Sequence, residues 1–322
     1  MAGEGAFQRQ RGRVFAWLEL FRLPNVLTVP AEPLAGYWLA AQAGMIDWVL
    51  LAPVVGAAVC FYIAGLTWND YFDRHTDRHD HPQRPLPSRR IVPYQALVSG
   101  WLLAALGLYL CYRAGPASLA IGLCLIGAIY CYDRYLKALP VIGVLNMGAC
   151  RGLSLLLGAS AVPVMQPFHG AVGLAALMVM VYISAVTQLA RRESMPHNPG
   201  FEIWAPGIGL FLGLLFFAPR VQLWDPVTVT VWILALGFPL LFGMRMQGFT
   251  VSANLPKTLQ KREAIVTELP KWIGWLIAHT LLLSLLFITS TTPDMTLAHP
   301  VVIGLVACWG LNRLLSLFFA PS

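Results

Sequence analysis

The chain alternates long apolar stretches with short polar segments. Most of the apolar stretches are close to the roughly 20 residues that an α-helix needs to cross a bilayer. Charged residues, prolines and glycines mark their ends, which is typical of successive transmembrane helices. The pattern predicts an all-α, polytopic transmembrane bundle with about nine or ten spans. The candidate spans lie near residues 24–43, 48–68, 92–112, 116–132, 139–162, 170–190, 203–218, 226–243, 272–290 and 299–319.

Composition supports a membrane protein and excludes an ordinary soluble globule. Of the 322 residues, 57% are hydrophobic and 11% are charged, whereas soluble domains carry about 25% charged residues. The mean hydropathy is +0.65. We therefore expect one integral membrane domain over residues 1–322. The six cysteines show no CxxC or Cys/His spacing, so the sequence indicates neither disulfides nor a zinc site.

The net charge of +7 reflects the connections between spans and not a surface for nucleic acid. Most basic residues lie in every second connection between predicted spans. They do not form a single basic surface of the kind that binds nucleic acid. Because positively charged loops are retained in the cytoplasm, both termini are predicted to be cytoplasmic. The predicted cytoplasmic segments are the polar N-terminus (1–16) and the loops near 69–91, 191–202 and 244–271.

A cluster of carboxylates follows the second predicted span. Asp70, Asp73 and Asp77 stand at i, i+3 and i+7, so they share one face of a helix that continues through them. Three neighbouring carboxylates repel one another, and a divalent cation would compensate this repulsion. Oxygen ligands suit Mg²⁺, which typically binds one or two carboxylates together with phosphate oxygens. The alternative is a solvated helix end that only marks the membrane interface.

The segment that follows favours the binding interpretation. The rigid turn Arg84–Ser88 would hold a cation near the carboxylates. His75, His79 and His81 suggest a transition metal, but their spacing is imperfect for one helix face and no cysteine accompanies them. Solvated histidines are the favoured interpretation.

The aspartates and the turn after them resemble the first aspartate-rich motif of the UbiA superfamily of intramembrane prenyltransferases, and two further segments extend the likeness to that family. The resemblance is carried by Asn69-Asp70-x-x-Asp73-x-x-x-Asp77, by Arg84-Pro85-Leu86-Pro87-Ser88, by Arg22-x-Pro24-Asn25, and by Tyr132-Asp133-Arg134-Tyr135-x-Lys137. In that family the first motif binds Mg²⁺ and an allylic diphosphate, whose prenyl group is transferred to a lipid-soluble acceptor. The resemblance implies a UbiA-type fold, Mg²⁺ as cofactor, and a prenyl diphosphate and a lipophilic acceptor as partners.

The resemblance also assigns roles to residues. It implies Asp70, Asp73 and Asp77 as metal ligands, Asp70, Asp73 and Lys137 as catalytic residues, and Asn69, Asp77, Arg84 and Arg134 as substrate-binding residues. The cationic side chains Arg134 and Lys137 can contact the diphosphate. An alternative for Lys137 is a purely topological role, in which its charge only fixes the orientation of the loop.

The second aspartate-rich motif of the family is missing. In its place the chain reads SAVTQLARRESMPHNPG after the sixth predicted span. Arg191 and Arg192 could bind phosphate directly and replace a second metal ion. Alternatively, the site no longer ionises a diphosphate, and the chain binds or moves a lipid-like precursor. The simplest interpretation of the two arginines is the positive-inside signal.

The segment Leu136–Ser160 resembles a divergent branch of the superfamily, the EboC-like proteins. That resemblance implies a bacterial inner membrane and partners encoded in a shared gene cluster. Asn146 and Arg151 lie inside a predicted span, where polar groups are costly and usually functional. Both are predicted to bind substrate, Arg151 through a headgroup, unless Arg151 only captures backbone carbonyls or a polar neighbour.

The sequence thus predicts a multi-pass membrane prenyltransferase with Mg²⁺ and a polyprenyl diphosphate at cytoplasmic loops, in contact with membrane lipid. The rival hypothesis is a non-catalytic lipid-binding or lipid-moving protein that keeps the diphosphate site. An ion-coupled transporter is disfavoured, because the acidic residues cluster at one edge and not near the midplane.

Overall fold

The computed structural model describes residues 12–41, 46–163, 170–191, 201–218, 226–253, 269, 271–291 and 295–315. The secondary structure within these ranges is helical throughout. Short helical turns at Tyr132–Leu136 (π-helical) and Phe201–Trp204 (3₁₀) extend or precede the main helices. The helices are α1 (12–20), α2 (Leu23–Val26), α3 (Ala31–Ala40), α4 (Trp48–Asp73), α5 (Asp77–Asp80), α6 (Pro93–Ala114), α7 (Pro116–Cys131), α8 (Ile142–Ala159), α9 (Gly170–Ala190), α10 (Ala205–Phe217), α11 (Pro226–Ala253), α12 (Lys271–Ser290) and α13 (Met295–Leu315).

The predicted all-α membrane bundle is confirmed. Seven helices in the described part of the chain are long and apolar enough to cross a membrane: α4, α6, α7 with its π-helical turn, α8, α9, α11 and α12. Two shorter apolar helices, at Glu202–Phe217 and Pro300–Asn312, match two further predicted spans. Large apolar side chains such as Leu102 and Tyr109 of α6 point outward, as expected for a surface that faces lipid.

Small residues let helices of the bundle approach closely. A Cβ added to Gly36 of α3 would collide with the backbone carbonyl of Leu155 on α8, and one added to Gly158 of α8 would collide with the carbonyl of Pro33. The two helices are therefore in backbone contact at both glycines, which is a common way for membrane helices to associate. This contact fixes α3 against α8 in the centre of the bundle.

The first predicted span, 24–43, is not one continuous helix. The structure has the short helix α2, a turn, and then the ten-residue helix α3. The hydroxyl of Thr28 donates to the carbonyl of Asn25 at 2.8 Å, and Pro30 precedes α3. Proline cannot donate a backbone hydrogen bond, so the turn interrupts the helix despite its apolar sequence.

Two predicted polar segments are shorter than expected. The predicted loop near 244–271 begins later, since α11 continues to Ala253 and α12 starts at Lys271. Residues 254–268 lie outside the described residues. The predicted polar N-terminus (1–16) is already helical at residue 12, and Ala16 and Leu20 are buried against Leu86, Ile91 and Ala96. Apolar residues on one face of α1 explain this packing.

Several helix ends and connections meet at one end of the bundle. Asp73 at the end of α4 contacts Lys137 just after the turn that follows α7. Arg191 at the end of α9 contacts the same connection. Asn312 of α13 donates to the carbonyl of Pro24 in α2 at 2.7 Å. The residues singled out by the sequence motifs are thereby gathered at this end.

Candidate functional site

The carboxylates of residues 69–77, here called the aspartate segment, lie on two helices and not on one. Helix α4 ends at Asp73, and Asp77 begins the separate short helix α5. The expectation of a helix continuing from Asp70 to Asp77 is therefore wrong. The guanidinium of Arg74 donates to the carbonyl of Tyr71 at 2.7 Å and so satisfies a carbonyl of the last turn. Because the helix breaks between Asp73 and Asp77, Asp77 does not occupy the position seven residues after Asp70 on the same helix.

Asp70 is the most enclosed carboxylate at the end of α4. Its side chain is 6% exposed and lies 3.5 Å from Nη2 of Arg22. Arg22 has a left-handed backbone conformation (φ 47°) directly before α2, which is uncommon for a residue with a side chain. The oxygen of Asp70 that faces Arg22 is Oδ1, and at this distance it makes an ion contact but no hydrogen bond among the described residues. A buried oxygen of this kind is available to a further ligand.

Asp77 is held by the turn that was expected to bring a cation to it. Nη1 of Arg84 lies 2.9 Å from both carboxylate oxygens of Asp77. The hydroxyl of Ser88 donates to the carbonyl of Arg84 at 2.7 Å, and Leu86 is buried against α1. These contacts hold Arg84 in place beside the carboxylate.

Asp73 forms an ion pair with Lys137 across 64 residues of sequence. The π-helical turn Tyr132–Leu136 extends α7 by one wide turn and brings Lys137 to the end of α4. Single π-turns of this kind are frequent at functional sites. Arg191 donates to the carbonyls of Lys137 at 3.0 Å and Leu139 at 2.9 Å. Its guanidinium thus supports the connection that carries Lys137.

Asp133 is a fourth acidic residue of the site, which the sequence reasoning quoted within a motif but did not select. It is 4% exposed, and its Oδ2 has no hydrogen-bond partner among the described residues. It interacts electrostatically with Lys137, Asp73, Arg22 and Asp70. The available signal was its position between Tyr132 and Arg134 in the family-like motif.

The other predicted substrate-binding residues have protein partners in the structure. The guanidinium of Arg134 lies over the rings of Phe72 and Tyr135, at 5.5 and 5.2 Å from their centroids. The amide of Asn146 donates to the carbonyl of Ala128 at 2.9 Å, which links α8 to α7. Arg151 forms an ion pair with Glu32, which sequence reasoning missed. Arg192 lies outside the described residues.

A family comparison identifies the scaffold that carries these residues. The UbiA prenyltransferase family model matches residues 33–246, which include α3 to most of α11 and the aspartate segment. The chain belongs to the UbiA prenyltransferase family. The resemblance inferred from the sequence motifs is thereby confirmed at the level of the superfamily.

Two relatives of this UbiA-family chain come from archaea. Digeranylgeranylglyceryl phosphate synthase from Methanopyrus kandleri is 34% identical over 145 residues, which are 45% of this chain and 52% of that protein. The protein of the same name from Methanosarcina barkeri is 30% identical over 158 residues, or 46% of this chain and 55% of that protein. The chain thus spans about half the length of these curated relatives.

Solved structures support the same fold. A structure of digeranylgeranylglyceryl phosphate synthase superposes with a TM-score of 0.60 at 20% identity, over 87% of this chain and 98% of that one. A UbiA homologue from Archaeoglobus fulgidus bound to DMAPP and Mg²⁺ gives a TM-score of 0.49 at 16% identity, over 85% and 99%. The second similarity is too weak to support an inference about this chain.

The donor set of the UbiA-like site suits Mg²⁺ without forming a complete cage. In the described segments, no three His, Cys, Asp or Glu side chains are grouped so that they could hold a metal ion. Mg²⁺ commonly takes only one or two protein carboxylates and completes its octahedron with water and phosphate oxygens. Oδ1 of Asp70, which is buried and contacts Arg22 without a hydrogen bond, fits such a ligand. Asp70, Asp73 and Asp77 as a joint metal set stay a prediction.

The histidines near the aspartates and the region of the missing second motif differ in how far the structure describes them. His75, His79 and His81 are exposed, as expected for solvated histidines. Of the region that replaces the second aspartate-rich motif, the structure describes residues up to Arg191, and 192–200 lie outside the described residues. The EboC-like branch stays a prediction, because the family match and the relatives concern the wider family.

Proposed function

We propose that this protein is a membrane prenyltransferase that transfers a prenyl group from a Mg²⁺-bound polyprenyl diphosphate to a lipophilic acceptor. The observation that carries the proposal is the set of three ion pairs at one end of the bundle. Each carboxylate of the aspartate segment has its own cation: Asp70 with Arg22, Asp77 with Arg84, and Asp73 with Lys137. The family membership supports the same reaction.

The three pairs provide both kinds of group that a metal–diphosphate complex needs. The carboxylates are hard oxygen ligands for Mg²⁺, and the cations are donors for phosphate oxygens. In the ligand-free site these groups neutralise one another. We expect Arg22, Arg84 and Lys137 to turn from the carboxylates to the diphosphate, while the freed carboxylates face the metal. Asn69 precedes Asp70 and would add an amide at the same helix end.

Asp133 explains why a divalent cation is needed in addition to the protein cations. It adds a buried carboxylate to the three paired ones and interacts with Asp70 and Asp73. The four acids exceed their three paired cations by one charge, so a diphosphate that approached without a metal would meet repulsion. When bound, Mg²⁺ would neutralise the leaving diphosphate as a Lewis acid. We assign its binding to Asp70 and Asp73, with Asp77 as a third candidate.

The reaction divides into two changes of bonding. The C–O bond between the prenyl carbon and the diphosphate breaks, and its electron pair leaves with the diphosphate. Lys137 and Arg84 stabilise the developing negative charge by charge-assisted hydrogen bonds. A nucleophilic atom of the acceptor then bonds to the allylic carbon and releases its proton. Asp70, Asp73 and Lys137 are the residues to which we assign the catalytic role.

In the region where the family has its second acidic motif, Arg191 supports the connection that carries Lys137. It binds carbonyls of the connection that carries Lys137, and so it acts through that residue in the described structure. We propose that the site works with fewer acidic metal ligands and with Arg191 and Arg192 as added positive charge near the diphosphate. Planar guanidinium groups are well suited to phosphate oxygens.

We place the site on the cytoplasmic face, together with both termini and the loops that carry the basic residues. The assignment to a bacterial inner membrane, and to partners from a shared gene cluster, rests on the EboC-like resemblance of Leu136–Ser160. The many exposed apolar side chains of the helices are the surface that we expect to contact membrane lipid.

The decisive experiment measures diphosphate release by the purified full-length protein in lipid nanodiscs. Labelled geranyl, farnesyl and geranylgeranyl diphosphates are supplied with Mg²⁺ and a panel of lipophilic acceptors. We expect Mg²⁺-dependent release and a prenylated product. Asp73→Asn should lower donor affinity or turnover about 10–100-fold, as is usual for groups around a metal. Asp80→Asn, an exposed aspartate of α5, is the matched control. Equal activity of the two variants would contradict the assignment.

A second candidate function is a lipid carrier that recognises a prenyl diphosphate without cleaving it. The observation that favours it is the absence of the second acidic motif from SAVTQLARRESMPHNPG. Native mass spectrometry separates the two functions. A prenyl lipid that co-purifies and is never turned over supports the carrier, whereas a prenylated product excludes it.

A further inference from the structure

A second polar cluster lies inside the bundle, and its side chains are different from those of the three ion pairs at the aspartates. Glu32 of α3 forms an ion pair with Arg151 of α8, and Nη2 of Arg151 also lies 3.4 Å from the hydroxyl of Thr280 on α12. The Glu32 side chain is 0% exposed and that of Arg151 is 12% exposed. Ionised groups in a membrane interior are costly and usually functional.

The ion pair leaves hydrogen-bonding capacity unused. Oε2 of Glu32 and Nε of Arg151 have no hydrogen-bond partner of normal geometry among the described residues. Thr280 is close to the carboxylate, but its hydroxyl donates to the carbonyl of Ile277 at 2.8 Å. An unpaired buried carboxylate oxygen is unfavourable unless a ligand or water completes it. The cluster therefore offers one strong acceptor and one donor to a bound molecule.

Tyr62 connects this cluster to the aspartate site. It interacts electrostatically with Arg151, Glu32 and Arg22, and its side chain interacts with Asn25. Arg22 is also the partner of Asp70. Tyr62 precedes Asp70 by eight residues on the same helix, so it lies about 12 Å further along the helix axis. The cluster is thus deeper in the bundle than the diphosphate site.

We infer that the Glu32–Arg151 cluster binds the polar end of the acceptor, and that this end is an uncharged, hydroxyl-bearing group. This inference rests on the proposed function. The two side chains neutralise each other, so the site carries no net charge to bind an anion. A hydroxyl can donate to Oε2 of Glu32 and accept from Nε of Arg151. A phosphate or carboxylate would meet the Glu32 carboxylate at close range, and such like-charge contacts are strongly unfavourable.

The test compares two lipids that share an apolar chain and differ in charge. Geranylgeranylglycerol is neutral, and geranylgeranylglyceryl phosphate is anionic. Their equilibrium binding to the full-length protein is measured in nanodiscs, without donor or Mg²⁺. We expect the wild-type protein to prefer the neutral lipid by about tenfold or more. Glu32→Gln leaves Arg151 uncompensated, so the preference should reverse toward the anionic lipid.

Two controls separate this effect from a structural one. Glu19→Gln removes a carboxylate from an ion pair with Arg90 at the surface, and it should leave the preference unchanged. If Glu32→Gln does not fold, the double variant Glu32→Gln/Arg151→Met decides, because replacing both members of a buried pair by uncharged residues is well tolerated. The double variant should lose at least tenfold in affinity for the neutral lipid.

The outcomes distinguish the inference from the proposed function. Binding of neither lipid, or the same neutral-to-anionic ratio in wild type and Glu32→Gln, overturns the inference, as does unchanged binding in a folded double variant. Donor binding is measured separately with geranylgeranyl diphosphate and Mg²⁺, with Asp73→Asn as reference. Failure of that measurement overturns the proposed function, while the lipid ratio continues to report on the Glu32–Arg151 cluster alone.

Discussion

At the scale of single residues, the site is defined by which cation each carboxylate contacts. The identity of the site residues could be predicted from the sequence, because Asp70, Asp73, Asp77 and Lys137 stand in family-like motifs. Which cation contacts which carboxylate could not be predicted, because the partners come from distant parts of the chain and meet only after the helices pack. Asp73 and Lys137 are 64 residues apart, and Glu32 and Arg151 are 119 apart.

Asp133 gives the first prediction. Replacing it by Asn keeps nearly the same volume and removes a buried charge that lacks a hydrogen-bond partner on Oδ2. We expect the melting temperature to stay equal or rise, because a buried carboxylate is costly to desolvate. At the same time the affinity for Mg²⁺ with the diphosphate should fall about tenfold, as for other groups around a metal. A thermal-shift series over Mg²⁺ concentration measures both effects, and loss of stability with unchanged Mg²⁺ affinity would contradict them.

At the scale of elements, helix ends were harder to predict than helices. Every predicted span overlaps helical residues of the described chain, although a turn interrupts the first one, because continuous apolar runs of bilayer length leave little alternative. The end of α4 at Asp73 was missed, since the i, i+3, i+7 pattern is equally compatible with a longer helix. The contacts of Arg74 and Arg84 decide where the helix stops, and such side-chain contacts have no periodic signal.

The connection after α7 gives a prediction about Arg191. Arg191→Gln removes a guanidinium that binds the carbonyls of Lys137 and Leu139. We expect Lys137 to be held less firmly, so the KM for the diphosphate should rise about tenfold while the melting temperature changes little. Steady-state kinetics with varied donor concentration measures this change. Arg113→Gln, at the exposed far end of α6, is the control and should leave KM unchanged.

The contact of α3 with α8 gives a prediction about stability. Gly158→Ala places a methyl group against the carbonyl of Pro33, and the helices must separate. Overpacking of this kind costs about 1–3 kcal/mol. Gly127→Ala on α7 is a matched control, because nothing lies within 4 Å of its added Cβ. Thermal unfolding in detergent should show a lower midpoint for Gly158→Ala and an equal or slightly higher midpoint for Gly127→Ala. An equal decrease of the unfolding midpoint in both variants would show that the close contact between α3 and α8 does not determine stability.

At the scale of the whole molecule, the asymmetry of charge defines two ends of the bundle. The ion-paired end carries Arg22, Arg84, Lys137 and Arg191, whereas the turn between α6 and α7 at Gly115 lies at the opposite end. This division could be predicted from the sequence, because retention of positive loops depends only on composition near the span ends. The depth of the Glu32–Arg151 pair in the bundle could not be predicted from the sequence, because Glu32 lies in the first predicted span, which a turn interrupts.

The orientation can be tested with short epitope tags. A tag after the exposed His79 should be accessible only after the membrane is permeabilised. A tag inserted at Gly115 should be accessible from outside intact cells. Antibody labelling before and after permeabilisation measures both positions. The reverse pattern would place the aspartate site on the outer face and contradict the cytoplasmic assignment.

The self-neutralising ion pairs have a thermodynamic consequence. A metal ion that binds Asp73 must displace Lys137, and a diphosphate that binds Lys137 must displace Asp73. Each ligand alone therefore leaves one member of the Asp73–Lys137 pair without a partner, whereas both ligands together give each member a new partner. Metal and donor are for this reason coupled by a favourable free energy, and each must raise the affinity for the other by the same factor. If the proposed function holds, the three ion pairs therefore favour joint binding of metal and diphosphate over binding of either ligand alone.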